Sequence, residues 1–188
     1  MPQEKLVQSP VFNNGVATPK HDEMLLMFSK DSPKLREYLM PILRYKISET
    51  IISYCEDYKR KNGFCDFGFI PKIRQINLTE WTPERPIMNN GYYIGSVDLY
   101  VLFKIKIDLE YKYYSEHTGY KSPDIENEII NIPLVFEFKP ELKSFSETLR
   151  QVKIYQKHIL GNYFVITNSD ISKFQNIFES QGIKIYNP

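Results

Sequence analysis

The spacing of apolar residues changes along this chain from a helical period to a strand-like period, and this change constrains the fold more than any other sequence feature. Between residues 35 and 55, apolar side chains recur every three or four residues, which predicts a long helix. Ser32-Pro33 is a helix-start signal, and the basic residues 59–61 with Gly63 are a helix-end signal. Pro41 is expected to kink the helix or to split it in two. The folded part of the chain should therefore begin with a helix and continue with strands.

The middle of the chain has the composition of β-strands. Residues 67–78 mix apolar residues with glycine, proline and polar residues, which suggests an irregular strand. Residues 82–86 contain two prolines and are not expected to adopt regular structure, whereas Asn-Asn-Gly at 89–91 signals a tight turn. A long strand is predicted over residues 92–114. Its stretch 104–110 alternates charged and apolar residues, which indicates one solvent-exposed face.

The second half of the chain alternates strands and helices. In order, we expect a polar loop at 115–128, a strand at 129–139, a helix at 144–160, a strand at 162–167, a helix at 170–180 and a strand at 183–186. The capping box formed by Ser144 and Glu147 opens the first of these helices, and Gly161 ends it. The whole order predicts an α/β layered fold with a mixed β-sheet.

Length and composition limit the class of protein. The 188 residues fit one domain over residues 31–188, preceded by an arm at residues 1–30 that contains three prolines and no sustained periodicity. With 42% hydrophobic and 25% charged residues, the chain is not of the disordered class. It has no apolar run of about 18 residues and no signal-peptide pattern, so we expect a soluble intracellular protein without a membrane partner. Its net charge of +1 argues against a polybasic coat protein but leaves enzymes that act on nucleic acid open.

Carboxylates interrupt two of the predicted strands. Asp98 lies in a stretch that is apolar on both sides, and burial of an unpaired carboxylate is costly, so Asp98 should have a lysine, backbone donors or a metal ion as its partner. Glu137 and Lys139 should project from the same face of the later strand. If the two strands are neighbours, these three side chains converge, and oxygen ligands of this kind suit Mg²⁺ or Mn²⁺. A metal ion there would polarise a phosphate and activate water, while Lys139 would orient that water or stabilise developing charge.

The helix predicted at 144–160 presents three kinds of surface. Its core stripe contains Val152, Tyr155 and Ile159. Its basic stripe contains Arg150, Lys153 and Lys157. The basic stripe suits phosphate contacts of a nucleic acid, although a merely solvated face fits the same pattern equally well. Gln151 falls between these stripes, next to Tyr155, where a neutral amide can contact a scissile strand or a metal-bound water without adding charge.

Taken together, an Asp on one strand, Glu-x-Lys ending the next and Gln-x-x-x-Tyr on the following helix resemble the PD-(D/E)XK nuclease superfamily, and the last motif is similar to its RecB-type exonuclease branch. The resemblance covers about residues 33 to 187. It implies a restriction-endonuclease-like core, a mixed β-sheet flanked by helices in the order α-β-β-β-α-β. The long spacing from Asp98 to Glu137 implies an extended hairpin or insert at 104–131. The cysteine cluster that holds an iron–sulfur cluster in some members is absent, so none is expected here.

The resemblance also implies roles for individual residues in a Mg²⁺- or Mn²⁺-dependent deoxyribonuclease. The implied metal ligands are Asp98, Glu137 and the Phe138 backbone carbonyl, the implied catalytic lysine is Lys139, and the implied helix motif is Gln151 with Tyr155. Members of the family often add an acidic residue on the first helix, for which Glu49 is the candidate, with Glu37 and Glu56 as alternatives. Each of these three is also consistent with a solvated helix charge.

Other interpretations remain open at this stage. The chain is either a nuclease, acting as an exonuclease or as an endonuclease that is a homodimer, or a catalytically silent nuclease-fold module that binds nucleic acid or a protein partner. In an unrelated α/β interaction domain, Glu137 and Lys139 would simply pair at a sheet edge. DNA is the expected partner, and RNA is left open. The high Tyr, Ile and Lys content hints at a viral or plasmid origin. The expected location is the cytoplasm, which for a viral protein is that of the host. Trp81, Tyr92 and Tyr93 fit either base stacking on a single strand or packing in the core or at an interface.

Overall fold

In the computed structural model, residues 23–25, 33–62, 69–111 and 124–187 are described. The elements are, in order, helix α1 (Pro33–Asn62), strand β1 (Phe69–Asn89), strand β2 (Tyr92–Tyr111), strand β3 (Asp124–Lys139), helix α2 (Phe145–Gln156), strand β4 (Asn162–Thr167), helix α3 (Gln175–Ser180) and strand β5 (Ile183–Tyr186). This order of helices and strands is the one predicted from the sequence. The predicted arm lies outside the described residues except for 23–25, which are helical, with the Met24 side chain buried.

The five strands form one sheet in the order β1-β2-β3-β4-β5. Strand β3 pairs in parallel with β4, and β4 pairs in parallel with β5. Strands β1 and β2 are joined by a turn of two residues, Asn90 and Gly91, which requires that they run antiparallel. The predicted α/β class with a mixed sheet is therefore confirmed.

The chain divides into two compact units that are not contiguous in sequence. Of the described residues, the first unit contains 23–25, 80–101 and 133–187, and the second contains 33–62, 69–79, 102–111 and 124–132. Strands β1, β2 and β3 each contribute one segment to each unit. The predicted division into an arm and one domain at 31–188, with an insert at 104–131, stays a prediction.

The core of the first unit is built from the inner strands and the two later helices. Its fully buried side chains include Val97, Leu99, Leu134, Phe136, Phe138, Phe164, Val165 and Phe178. Phenylalanine rings dominate this core, with Phe136 stacked on Phe164 at a centroid distance of 5.0 Å. Large apolar groups packed in this way are the main stabilising contribution of the unit.

Helix α1 supplies the apolar face of the second unit. Its predicted stripe is buried at Leu35, Leu39, Ile42, Leu43 and Ile47, and half-buried at Ile51 and Cys55. The helix is continuous across Pro41, so of the two predicted effects the split is wrong and the kink stays a prediction. Pro41 is exposed, and water can therefore bind the carbonyl that proline leaves without its helical donor.

Strand β1 contradicts the prediction that residues 82–86 are irregular. The strand runs unbroken from Phe69 to Asn89 and contains Pro83 and Pro86. Strand β1 is at an edge of the sheet, so one of its sides has no partner strand. A proline whose nitrogen faces that open side costs the sheet no hydrogen bond. Glu84, between the two prolines, has a positive φ of 49°, which marks a local irregularity of the strand.

Three predicted boundaries are also wrong. Residues 124–128 belong to β3 and not to a polar loop, whereas the rest of that loop lies outside the described residues. Helix α2 ends at Gln156 instead of about residue 160, and the next two N–H groups, of Lys157 and His158, donate to carbonyls three residues back, as in a turn. Helix α3 begins at Gln175 rather than at 170, after a turn in which Asp170 accepts a hydrogen bond from the Ser172 N–H.

None of the helices within the described ranges is both long enough and apolar enough to cross a membrane.

Candidate functional site

Asp98 is a buried carboxylate in the first unit, on strand β2. Its flanking residues, Val97 and Leu99, are fully buried, and Asp98 itself is 9% exposed. Its Oδ2 atom accepts a hydrogen bond of 2.7 Å from the backbone N–H of Phe138 on β3. The predicted need for a partner is thus met in part by a backbone donor, which fixes this carboxylate against the neighbouring strand.

Phe138 connects the two carboxylates through its backbone. The N–H and C=O groups of one residue in a strand point to the same side, so the Phe138 carbonyl oxygen is also directed toward β2, where Asp98 lies. The ring of Phe138 is fully buried and stacks on Phe136 at 6.2 Å. These contacts hold the end of β3 in place from the face opposite to Glu137 and Lys139.

Glu137 and Lys139 lie on the same face of β3, as the alternation predicts. The Lys139 Nζ atom is 2.6 Å from the Glu137 Oε1 atom. The Glu137 side chain is 4% exposed and that of Lys139 is 28% exposed, so the pair is buried at its acid end and open to solvent at its amine end. A ligand that enters from solvent therefore meets the lysine before the glutamate.

Helix α2 contributes an amide to the same glutamate oxygen. The Gln151 Nε2 atom donates to Glu137 Oε1 at 2.7 Å and to the Tyr155 hydroxyl oxygen at 2.7 Å. Because positions i and i+4 lie on the same helical face, both side chains reach toward the sheet together. Ser144 caps this helix as predicted, accepting from the Glu147 N–H. The structure therefore brings Asp98, Glu137, Lys139, Gln151 and Tyr155 together in one unit, and their roles stay a prediction.

The pKa of Lys139 is raised above the ordinary lysine value. Burial by itself lowers this pKa, but the negative charges of Glu137 and Asp98 raise it by more, and so does the hydrogen bond to Glu137. At neutral pH, Lys139 is consequently an ammonium ion. It can donate hydrogen bonds and stabilise negative charge, but it cannot accept a proton as a general base.

The pKa of Tyr155 is also raised. Burial is the largest cause, and the negative charges of Glu137 and Asp98 add to it, against the opposing effects of Gln151 and Lys139. The phenol therefore stays protonated, so that it acts as a neutral hydrogen-bonding group beside the charged residues.

The ion pair of Lys139 gives a testable pH dependence. Because the folded-state pKa of Lys139 is raised, its contribution to the free energy of unfolding should be fully present below the ordinary pKa of 10.5 and lost as the pH rises through the higher folded-state value. We expect the difference in unfolding free energy between wild type and Lys139→Met to stay constant from pH 7 to 10 and then to shrink, as measured by urea titration. The same difference for Lys143→Met, at an exposed position, should not change with pH. If the difference in unfolding free energy between wild type and Lys139→Met begins to shrink near pH 8, the pKa of Lys139 is not raised.

Gly95 was not singled out by the sequence, although it makes room for Tyr155. A β-carbon built at Gly95 would lie 3.2 Å from both the Cε1 and the hydroxyl oxygen of Tyr155. The signal was present in the sequence, because an isolated glycine inside a strand often marks a close approach of another group.

Replacing Gly95 with valine is expected to displace the Tyr155 ring and to lower the free energy of unfolding by about 1–3 kcal/mol, since overpacking strains a closely filled site. Urea titrations of Gly95→Val, Tyr155→Ala and the double variant form a mutant cycle that measures the coupling. The double variant should be more stable than the sum of the two single losses predicts. Strictly additive losses would show that the contact does not constrain this site.

The remaining predicted site residues lie on helix surfaces. Arg150 is exposed, and its hydrogen bond to Glu147, followed by the negative charge of that carboxylate 2.6 Å away, raises the pKa of Arg150. On the same helix Lys153 is half-buried, whereas Lys157 is exposed and lies directly after the end of the helix at Gln156. Glu49 belongs to the second unit, where its carboxylate pairs with Lys46 at 2.6 Å, so the metal-ligand role assigned to it stays a prediction.

The donor set of the first unit is compatible with a hard divalent cation. Asp98 and Glu137 supply carboxylate oxygens, and the Phe138 carbonyl supplies a neutral one, which are the ligand types that Mg²⁺ and Mn²⁺ prefer. Across the described ranges there is no group of three or more His, Cys, Asp and Glu side chains of the kind that holds a metal without backbone or water ligands. A cation at this site would therefore depend on the backbone oxygen and on water in addition to the two carboxylates.

Comparison with known proteins gives no match: no family model, no curated protein and no solved structure is similar to this chain. The functional assignment consequently depends on the residues of the site and on their geometry.

Proposed function

We propose that this protein is a Mg²⁺- or Mn²⁺-dependent nuclease that hydrolyses phosphodiester bonds of DNA, with a restriction-endonuclease-like core of the PD-(D/E)XK type. The observation that carries the proposal is the convergence on Glu137: Lys139 Nζ and Gln151 Nε2 lie 2.6 and 2.7 Å from its Oε1 atom. Asp98 is fixed to the same strand end by a 2.7 Å hydrogen bond. An amine and an amide, from a strand and from the helix that follows it, meet at one buried carboxylate oxygen, and this arrangement is more specific than any of the sequence motifs alone.

The charge balance of the site supports a divalent cation. Asp98 and Glu137 carry two negative charges in buried positions, and Lys139 carries one positive charge, so these three groups sum to −1. A buried excess of negative charge is costly, because the surrounding protein has a low dielectric constant. A divalent cation would change this sum to +1, which suits a phosphodiester with its single negative charge.

Each side chain has a distinct task in the proposed reaction. When bound, Mg²⁺ or Mn²⁺ polarises the phosphate and lowers the pKa of a coordinated water. Lys139, the more exposed partner of the pair, donates hydrogen bonds to the charge that develops on the phosphate oxygens or orients the attacking water. Gln151 holds the Glu137 carboxylate and the Tyr155 hydroxyl in fixed positions, so that neither has to reorganise during the reaction.

The fold supports the proposal at a coarser level. The site residues lie on β2, at the end of β3 and on α2, and the helix-strand order from α1 to β4 is the α-β-β-β-α-β order implied by the nuclease resemblance. Arg150 and Lys153 on α2, with Lys157 directly after its end, provide candidate phosphate contacts for the nucleic acid on either side of the cleaved bond. We infer a location where DNA is accessible, which includes the cytoplasm.

The deciding experiment measures cleavage of linear and circular DNA, single- and double-stranded, by the purified protein with Mg²⁺ or Mn²⁺ and with chelator. We expect metal-dependent cleavage that Glu137→Ala and Lys139→Ala both abolish, and cleavage of circles would identify an endonuclease. Glu179→Gln is the matched control, because it neutralises an exposed glutamate of the same unit and should cleave like wild type.

Two results would overturn the proposal. One is the absence of cleavage of every substrate together with a melting temperature that does not rise with Mn²⁺, since a ligand that binds only the folded state must raise it. The other is tight DNA binding, unchanged in both alanine variants, with no cleavage. That second result would identify the chain as a catalytically silent nucleic-acid-binding module in which Glu137 and Lys139 form a structural ion pair.

A further inference from the structure

The tip of the β1–β2 hairpin is an exposed apolar and aromatic surface in the first unit. Tyr92 and Tyr93 are 77% and 65% exposed, and Met88 is 54% exposed. The sequence left open whether these tyrosines pack in the core, and the structure excludes that use. Large aromatic side chains exposed to solvent beside a turn are typical of a binding surface and not of a folding core.

The hairpin tip is conformationally well defined. Asn90 and Gly91 have φ values of +50° and +85°, the positive values at both central positions that a two-residue type I′ turn requires. Such a turn matches the twist of the flanking strands, so the tip is a regular hairpin and not an irregular loop. Because consecutive strand residues point to opposite sides, Tyr92 and Tyr93 present their rings on the two faces of the hairpin.

The chemistry of the tip favours bases over phosphates as its ligands. Residues 86–97 contain no charged side chain, so this surface offers nothing to neutralise a phosphate backbone. It does offer two tyrosine rings, and every nucleobase has a face that stacks on such a ring regardless of sequence. In duplex DNA these faces are hidden by base stacking, whereas in a single strand they are accessible.

The size of the surface argues against a second copy of the chain as its occupant. The exposed parts of Met88, Tyr92, Tyr93 and Ile94 together amount to roughly 500 Å². A stable protein interface buries about 800 Å² on each partner. A few stacked bases, in contrast, need only the tyrosine rings.

The tip and the candidate catalytic carboxylate lie on the same strand. Tyr92 precedes Asp98 by six residues, an even separation that places both side chains on the same face of the strand, about 20 Å apart along it. Stacked nucleotides advance by about 3.4 Å each, so this distance spans about six nucleotides. A strand whose bases stack on the tip can therefore reach the carboxylates with its backbone.

We propose that the hairpin tip, through Tyr92 and Tyr93, binds unpaired bases and makes single-stranded nucleic acid, or a single-stranded end or flap of about six nucleotides or more, the preferred substrate. The proposal rests on the proposed nuclease function for its consequence in cleavage, but the binding itself does not require catalysis. Tyr92 and Tyr93 act as specificity-determining residues, while the phosphate contacts and the chemistry belong to α2 and to the carboxylate site.

The test compares two fluorescent 20-nucleotide probes in chelator, one of thymidines and one of abasic deoxyribose units with the same phosphates. We expect wild type to bind the thymidine probe about tenfold more tightly or better, because only that probe can stack. Tyr92→Ala/Tyr93→Ala should reduce this ratio to about one, whereas Tyr92→Phe/Tyr93→Phe should keep it, since phenylalanine retains the ring. Tyr45→Ala, at an exposed tyrosine of the second unit, is the control and should leave the ratio unchanged.

Three outcomes would overturn the inference: no preference of wild type for bases, a preference that the double alanine variant retains, or a wild-type dimer in sedimentation that the double alanine variant disperses. The proposed nuclease function is tested separately by cleavage with Mn²⁺. A base preference without cleavage would support the binding surface and refute the nuclease, and cleavage without a base preference would do the reverse. Circular dichroism of each variant verifies folding, which substitutions at such exposed positions should not impair.

Discussion

Replacing Lys139 with methionine is expected to lower the rate constant of DNA cleavage by about 10²- to 10³-fold, the effect of removing one preorganised donor from an active site. Mn²⁺ affinity should fall little or not at all in this variant, because the lysine is not a metal ligand. Glu137→Gln should lose both cleavage and metal affinity, since an amide cannot supply the negative charge that holds the cation. Single-turnover cleavage and isothermal titration with Mn²⁺ measure the two properties separately. Lys143→Met, which removes an exposed lysine nearby, should behave like wild type.

Stability must be measured with the same variants. Lys139→Met takes away the cation that lies 2.6 Å from a buried carboxylate, and loss of one partner of a buried pair costs about 3–5 kcal/mol. The double variant Glu137→Gln/Lys139→Met removes both charges and should recover much of this stability while remaining inactive. If Lys139→Met cleaves DNA at the wild-type rate, the ion pair is structural only and the catalytic assignment of Lys139 is wrong.

Replacing Phe136 with alanine is expected to lower the free energy of unfolding by about 3–5 kcal/mol, as large-to-small substitutions of core aromatics do. The Phe136 ring is fully buried between those of Phe138 and Phe164, at centroid distances of 6.2 and 5.0 Å. A loss of this size is a large fraction of the stability of a typical domain. Urea titration monitored by circular dichroism measures it. Ile177→Ala, at an exposed position of the same unit, should stay within about 0.5 kcal/mol of wild type.

Phe136 also supports the part of β3 that carries the candidate site, and the melting temperature is a second measurement of its effect. Phe136 precedes Glu137 directly, and Phe138 places its N–H on Asp98, so a cavity at Phe136 loosens the strand end that carries both contacts. We expect Phe136→Ala to lower the melting temperature more than any surface substitution in the same unit. A melting temperature equal to that of Ile177→Ala would contradict the described packing.

Elements defined by local chemistry were predictable from the sequence. The cap at Ser144 and the turn at Asn90 and Gly91 need only a few neighbouring residues, and both are found where they were predicted. The shared face of Glu137 and Lys139 follows from strand alternation alone, and the 2.6 Å distance between them agrees with it.

Features that depend on tertiary position were not predictable. The backbone N–H of Phe138 as the partner of Asp98 requires the neighbour relation of β2 and β3, which no local pattern gives. The close approach of Gly161 to the Val135 side chain is also a tertiary contact, which no local pattern gives. Likewise, the exposure of Tyr92 could not be separated from core burial, because aromatic residues are common in both places.

The prolines of β1 have a further consequence for how molecules of this protein meet each other. An open strand edge normally offers a row of backbone donors and acceptors to any extended chain that passes, and this is how many sheet proteins begin to aggregate. Pro83 and Pro86 supply no donors, and the positive φ of Glu84 interrupts the line between them. A foreign strand that approaches residues 83–86 therefore finds no continuous ladder to extend, and concentrated solutions should be protected from fibre growth along this stretch of the molecule.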